Sequence, residues 1–412
     1  MEKTSMMSFR KFGLDYCDLP TMLENLDILL RVFNVKIHEN NDGPINIFLY
    51  ILWIISNICY YYVYVFSVCW FVIVRCPQTG NLIAASVVIS LAMCSQPSFI
   101  KMFYMIIYKK KVQSLIQNYL LLNQLVKPES SFSKNLHIQL RFIKKRATTV
   151  WATMAINGIL YIAVPIFMPG RHLAEDYLVI YGLEPMLESP NFEIASAMIG
   201  ISVYLCVCSL GSITAMNLII LGYSESQMIS LSKELNYLWQ DAKDFTTSLQ
   251  KRIVYKYAKK TSIINAYITE RLKEIIFLHI RNIQVIEEFE SVFSITKAIE
   301  FIFCILAIIS ELLGGIENTY LQIPFSFVLI LMECFAGQKL MDACEMFEKA
   351  IYNCNWEKFN VSNRRTILMM LVSAQKTLSI SAGGMAVLNF ACLLSVMKFS
   401  YSTYNTLRLM VN

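Results

Sequence analysis

The sequence predicts an all-α, polytopic membrane protein with seven transmembrane helices, a cytoplasmic N-terminus, an extracellular C-terminus and a cytoplasmic helical anchor domain. Three observations carry this. Hydrophobic residues make up 56% of the 412 residues and charged ones only 16%, a composition suited to a bilayer rather than to water. Seven apolar stretches have lengths near or above the roughly 20 residues a spanning helix needs: Ile45–Val74, Leu82–Ile100, Ala147–Met168, Phe192–Tyr223, Val292–Leu313, Tyr320–Ala336 and Leu378–Leu409. The segment before the first stretch and the gaps after the second, fourth and sixth hold 31 Lys and Arg, whereas the other gaps hold only Arg75 and Arg171. Basic loops stay cytoplasmic, so seven crossings carry the chain from inside to outside.

Taken in order, Met1–Lys11 is polar and basic and is followed by no small-residue cleavage site, so no cleaved signal peptide is expected. Leu23, Leu26, Leu29, Leu30 and Phe33 recur at helical spacing and predict a short helix within Leu19–Val35, lying on the inner membrane surface. Asn40-Asn41-Asp42-Gly43-Pro44 breaks the chain before the first crossing. The outer segment Pro169–Asn191 carries Glu175, Asp176, Glu184 and Glu188 and two prolines, and is expected to form a lid on the outer face. From Glu225 to Ser291, apolar residues again fall at helical spacing (Leu231, Leu235, Leu238; Ile275, Leu278, Ile286), predicting that the fourth and fifth spans extend into the cytoplasm. Asn363–Ala374 repeats the pattern with Ile367, Met370, Leu371 and Ala374. Such cytoplasmic helices serve either assembly or a solvated bundle within one subunit.

Catalytic signatures are missing. No His-Glu-x-x-His, Walker A, Gly-x-Ser-x-Gly or Cys-x-x-Cys pattern occurs, so an enzyme is not expected, nor a metal or other cofactor. No Asp lies in a span and all four His lie outside the spans, which removes the paired aspartates of an intramembrane protease. Of twelve Cys, only Cys76 falls in a predicted outer loop, so no outer disulfide is expected. The net charge of +6 sits in loops facing anionic lipid, and nothing points to nucleic acid.

Charges inside the membrane are costly and therefore informative. Lys297 and Glu300 are three residues apart, the spacing of a local ion pair on one helix, with an ion pathway as the alternative. Glu311 and Glu333 lie close enough to span ends to reach the interface. Lys398 has no carboxylate on its own helix and, with Tyr401, Tyr404, Asn405 and Arg408, makes the seventh span the most polar. That stripe fits a pore lining or a buried polar interface. The outer halves of the middle spans carry Met154, Tyr161, Phe167, Phe192, Met198, Tyr204, Tyr320, Phe325 and Phe327. Such residues pack a core or an interfacial belt; they are also what an apolar small-molecule pocket uses.

The C-terminal region carries a recognisable order of short motifs: Tyr352-Asn353-Cys354-Asn355-Trp356, Arg364-Arg365-Thr366-Ile367-Leu368-Met369-Met370, Ala374-Gln375-Lys376-Thr377-Leu378, Ser381-Ala382-Gly383-Gly384 and Lys398-Phe399-Ser400-Tyr401-Ser402-Thr403-Tyr404. Together with the inverted seven-span topology, this resembles the insect odorant receptor family. Tyr181-Gly182-Leu183-Glu184-Pro185 is similar to moth and butterfly members. The resemblance implies a subunit of a tetrameric, ligand-gated, non-selective cation channel in the plasma membrane of olfactory sensory neurons, binding a small volatile odorant and partnered by membrane lipid and the odorant receptor co-receptor. It places the odorant site in the outer half among spans two, three, four and six, with Met154, Tyr161, Phe192, Met198, Tyr204, Tyr320 and Phe325 as candidate ligand-binding residues. It makes Asn363–Gln375 an anchor helix and Gly383–Leu409 the pore helix, with Lys398, Tyr401, Tyr404, Leu407 and Arg408 as candidate pore residues. Tyr404 and Leu407 then fall near the outer constriction, where related co-receptors carry an aliphatic residue and a Gln; this departure favours a heteromer over a conducting homomer.

The resulting partition is 1–44, an N-terminal segment with a surface helix; 45–224, spans one to four; 225–291, cytoplasmic extensions; 292–336, spans five and six; 337–377, anchor helices; and 378–412, the pore-lining seventh helix with a short outer tail. A gustatory receptor of the same superfamily is the nearest competitor, but it predicts a Thr-Tyr…Gln-Phe ending that Thr403–Val411 lacks. A G-protein-coupled receptor requires an outside N-terminus. A secondary transporter predicts repeated halves with broken helices, which the sequence does not display.

Overall fold

A computed structural model describes residues 13–38, 47–250, 260–376 and 378–411. The Asn40–Pro44 break and the basic Met1–Lys11 segment lie outside them. The described chain is helical almost throughout: α1 (Leu19–Arg31), α2 (Ile47–Thr79), α3 (Leu82–Ile107), α4 (Lys109–Gln124), α5 (Ser131–Phe167), α6 (Asn191–Gln250), α7 (Lys260–Gly314), α8 (Gln322–Asn353), α9 (Val361–Ala374) and α10 (Phe390–Val411). Six helices, α2, α3, α5, α6, α7 and α8, are long and apolar enough to cross a membrane. The seventh, α10, has 22 residues, about 33 Å at 1.5 Å per residue; it has the length of a span and a more polar composition.

Polar caps set the helix ends. Asn81 accepts from the Ala84 amide at 3.0 Å after Gly80 has closed α2 in the left-handed region, and Ser130 caps α5 through the Ser133 amide at 3.0 Å. At 60 and 55 residues, α6 and α7 far exceed the ~30 Å hydrocarbon thickness. Their second and first halves, respectively, pack together with α8 and α9 beyond the apolar spans.

Four expectations are corrected. First, α1 packs into the bundle rather than lying on the inner surface: Leu19, Leu23 and Leu30 are fully buried. The ring of Phe33, just beyond α1, sits 6.4 Å from that of Tyr204, about 20 Å along α6 from its outer end. An amphipathic face finds a protein groove as readily as a lipid surface, and its periodicity is the same in both.

Second, Lys297 pairs across helices. It bonds Glu333 of α8 rather than Glu300, while Lys101 of α3 reaches Glu300 at 2.5 Å and Glu333 at 3.3 Å. These four side chains are at most 4% exposed, so the two cations and two carboxylates form a closed, neutral set. Lys101 had counted as an inner-loop cation; its removal leaves the inner excess intact. Third, Glu311 and Glu333 do not reach the interface. Glu311 is fully buried and accepts from Ser326 and from the Cys94 thiol at 3.0 Å.

Fourth, the seventh helix begins at Phe390, not Leu378 or Gly383. Ser381–Ala382 pairs with Ala386–Val387 in a two-residue antiparallel ladder. The turn runs through Gly383 and Gly384 at φ +62° and +72°, a conformation glycine adopts at no steric cost. This hairpin is held on α7 by Glu290, which accepts from the Ser381 amide and hydroxyl, and by the Gly383 amide on the Ser294 carbonyl at 3.0 Å.

Candidate ligand cavity and pore helix

A cavity lies among the outer halves of α2, α3, α5, α6 and α8. Each helix delivers a short stretch of lining: Tyr64; Leu91, Cys94 and Ser95; Asn157, Gly158 and Tyr161; Val203, Cys206 and Val207; Leu321, Gln322 and Phe325. Tyr64 comes from a π-helical stretch of α2, Tyr61–Ser67. The wider turn is of the kind that recurs at functional sites. Gly158 lets α5 approach α6, since a Cβ there would meet Val207 at 2.9 Å.

Charge is excluded from this lining, and most of its polar groups are committed. Ser95 accepts from Tyr60 at 3.1 Å and donates to the Ala92 carbonyl; Asn157 donates to the Leu321 carbonyl at 3.2 Å. The Gln322 amide donates to Glu175 at 2.9 Å while its carbonyl accepts from Ser90 at 2.5 Å. Tyr161 is 7% exposed; its hydroxyl makes no hydrogen bond of ordinary geometry among the described residues, and the Gln322 side chain is its polar neighbour. A buried hydroxyl without a hydrogen bond costs about 1–3 kcal/mol, so it is poised for a guest that supplies one.

Of the seven candidate ligand residues, Tyr161 and Phe325 line this cavity. Met154 is buried one turn below, against Gly211. Tyr320 lines an adjoining outer recess, Phe192 stacks with the Arg171 guanidinium at 5.6 Å, and Met198 is half-buried. Tyr204 is 48% exposed and meets Phe33. Phe167 is 85% exposed. Sequence reasoning missed Tyr64, Asn157 and Gln322. Only Tyr64 carried a signal, as one of a dense run of aromatics in the first span.

The outer segment between α5 and α6 roofs the cavity. Tyr181 is fastened to α2: its carbonyl accepts from Tyr62 at 2.8 Å, its amide donates to Ser67 at 3.3 Å, and its ring meets Phe66 and Trp70 edge-on. Glu175 is buried above Gln322, and burial in this outer loop pushes its carboxyl up to about 7.

On α10, Val396 and Ser400 face the protein's own bundle, while Leu394, Phe399, Tyr401 and Leu409 are exposed. At about 100° per residue, the five candidate pore residues do not share one face. Tyr404 and Leu407 lie within about 40° of Ser400, Tyr401 and Arg408 on its flank, and Lys398 about 160° away. Arg408 donates to the Tyr404 hydroxyl at 3.1 Å and Tyr401 packs near Tyr404.

The sequence profile described as 7tm Odorant receptor matches residues 81–401, spanning α3 through most of α10. The chain belongs to the odorant receptor family. It is a multi-pass membrane protein of a receptor family, without the signature of an enzyme. Among solved structures the receptor is similar to the insect olfactory receptor OR5 from Machilis hrabei, with a TM-score of 0.71 and 16% identity over 97% of this chain and 100% of that one. The same values hold for OR5 in complex with eugenol. At that identity the likeness concerns the fold. No curated protein matches the receptor's sequence.

Proposed function

We propose that the receptor binds a small, neutral, largely apolar volatile in the five-helix cavity and is one subunit of a ligand-gated, non-selective cation channel in the plasma membrane of olfactory neurons. The observation that carries this is the cavity itself: lined by five spans, free of charged lining, and bordered by the Tyr161 hydroxyl, which makes no hydrogen bond of ordinary geometry among the described residues. The solved complex of OR5 with eugenol, a relative in fold, supports the reading. A guest burying about 200 Å² gains about 5 kcal/mol at ~25 cal/mol per Å², and an oxygen that pairs with Tyr161 adds about 1 kcal/mol. Binding opens the channel only to the extent that the open state binds the guest more tightly.

The partner is the odorant receptor co-receptor. Most of α10 is unpacked on this chain, as are Leu368, Met369 and Val372 of α9, and these are the faces a tetramer covers. In this assembly α10 surrounds the pore. The test is ligand-evoked current in cells expressing the receptor alone and with a co-receptor, screened against a volatile panel. Current that needs the co-receptor and persists under G-protein block is expected. Tyr161→Phe should then raise the half-activating concentration three- to tenfold for alcohols, aldehydes and esters and leave hydrocarbons unchanged, a difference of about 1 kcal/mol. Responses abolished by the G-protein block would refute the channel.

A further inference from the structure

Directly above the ligand cavity lies a second recess, lined by Val164, Pro165, Leu173, Glu175, Asn318 and Tyr320 among others. The two spaces share Tyr161, Leu321 and Gln322, so those three side chains are at once the floor of the outer recess and the ceiling of the cavity. Gln322 is the one that hydrogen bonds fix at both ends. Its amide donates to Glu175 of the roof at 2.9 Å and its carbonyl accepts from Ser90 of α3 at 2.5 Å. We infer that the outer recess is the access route from the aqueous side to the ligand cavity, and that the chain Glu175–Gln322–Ser90 is the latch that closes it.

The two parts of the roof are held differently. Its later part is fastened to α2 through Tyr181, and Arg75 reaches Glu184 at 3.4 Å. Its earlier part braces itself: Asp176 accepts from the Leu173 amide at 2.9 Å and lies 2.7 Å from the His172 ring. Among the described residues, the side-chain hydrogen bond that ties this self-braced turn to the bundle is the one from Gln322 to Glu175. When it opens, the turn swings as a unit about the Tyr181 anchor, and Gln322 leaves the space between recess and cavity. A ligand using this route crosses water first, which sets apart molecules that arrive dissolved or carried from those that arrive through lipid.

This inference rests on the cavity being the ligand site, and the test separates the two. Cys206 lines the cavity and gives a native reporter. Full-length receptor in membranes with its co-receptor is exposed from outside to a water-soluble cationic methanethiosulfonate, and Cys206 modification is followed by mass spectrometry. Glu175→Ala and Ser90→Ala each remove one end of the latch and should speed modification about tenfold, the factor one net hydrogen bond is worth. At pH 5.5, where the Glu175 carboxyl is protonated, Glu175→Gln keeps an acceptor for Gln322 and should behave as wild type. Surface expression of each variant identifies any that fails to fold, and either alanine variant alone suffices. An unchanged rate in an alanine variant that folds overturns the route. Acceleration followed by loss of ligand-evoked current in the modified receptor supports both route and site; acceleration with current intact supports the route and overturns the site.

Discussion

Glu175 is an acid buried where water would otherwise be, and its titration has a direction. Its carboxyl is held at about 7 by burial, with Asp176 beside it raising it further and the Gln322 side chain and Tyr177 backbone opposing. The hydroxyls of Tyr64 and Tyr161 face it from below, and Asp176 is itself engaged by His172. An acid whose value rises on packing stabilises the packed form fully below its free value, about 4.5, and loses that contribution as pH climbs to about 7. Ligand-current onset in wild type is therefore expected to quicken from pH 5 to pH 7.5, while Glu175→Gln shows a flat profile; matching slopes in the two would exclude this role. None of this was legible beforehand. The sequence placed Glu175 in an acidic outer loop, but burial of one acid beside three exposed ones is decided by a fold that brings residue 322 beneath it. The candidate site was legible as a composition, aromatics and Met in the outer spans, and two of seven named side chains reach the cavity. A helix offers a new face every residue, and an apolar sequence hides which face looks inward.

Element by element, the spans and the long continuations of the fourth and fifth were readable because length, apolarity and 3.6-residue spacing are local properties. The interruption before α10 was present too, as Gly383-Gly384, but it lay within an apolar run that reads as continuous helix. That hairpin has a structural counterpart in Gly337 of α8, where an added Cβ would stand 2.1 Å from the Leu388 carbonyl oxygen. Backbone cannot retreat as a side-chain tip does, so Gly337→Ala must push α8 away from the root of α10. Overpacking of this kind costs about 1–3 kcal/mol. The variant is expected to lose thermal stability in detergent and to give reduced maximal current, whereas Gly200→Ala, with open space around its Cβ, should match wild type in both assays.

Across the whole molecule, apolar residues are left uncovered on two elements that no lipid explains equally well. On α9, Ile367, Met370 and Ala374 are buried against the chain's own helices while Leu368, Met369 and Val372 are more than 60% exposed. The helix is fixed on the first side by Asn363, which caps through Asn360, donates to the Asn265 carbonyl at 3.1 Å and accepts from Thr269 at 2.9 Å. A cytoplasmic helix apolar on both sides has a partner on each. Replacing Leu368 and Met369 together by Ser should leave the subunit folded and shift native-gel and cross-linking patterns from tetramer to monomer. An unchanged tetramer would remove α9 from the interface. Sequence periodicity registered the inner face of this helix; the outer one emerged only once the inner partners were known.

The closed set of Lys101, Lys297, Glu300 and Glu333 also fixes an order of events during synthesis. Lys101 meets Glu333 across 232 residues of chain, so α3 emerges from the ribosome long before its counter-ions exist. A buried lysine without its counter-ions is costly, and Lys101, near the inner end of α3, lacks them until α7 and α8 arrive. A chain cut short before α8 keeps Lys101 and Lys297 but only Glu300 of the two carboxylates, so neutrality inside the bundle arrives only with the sixth span.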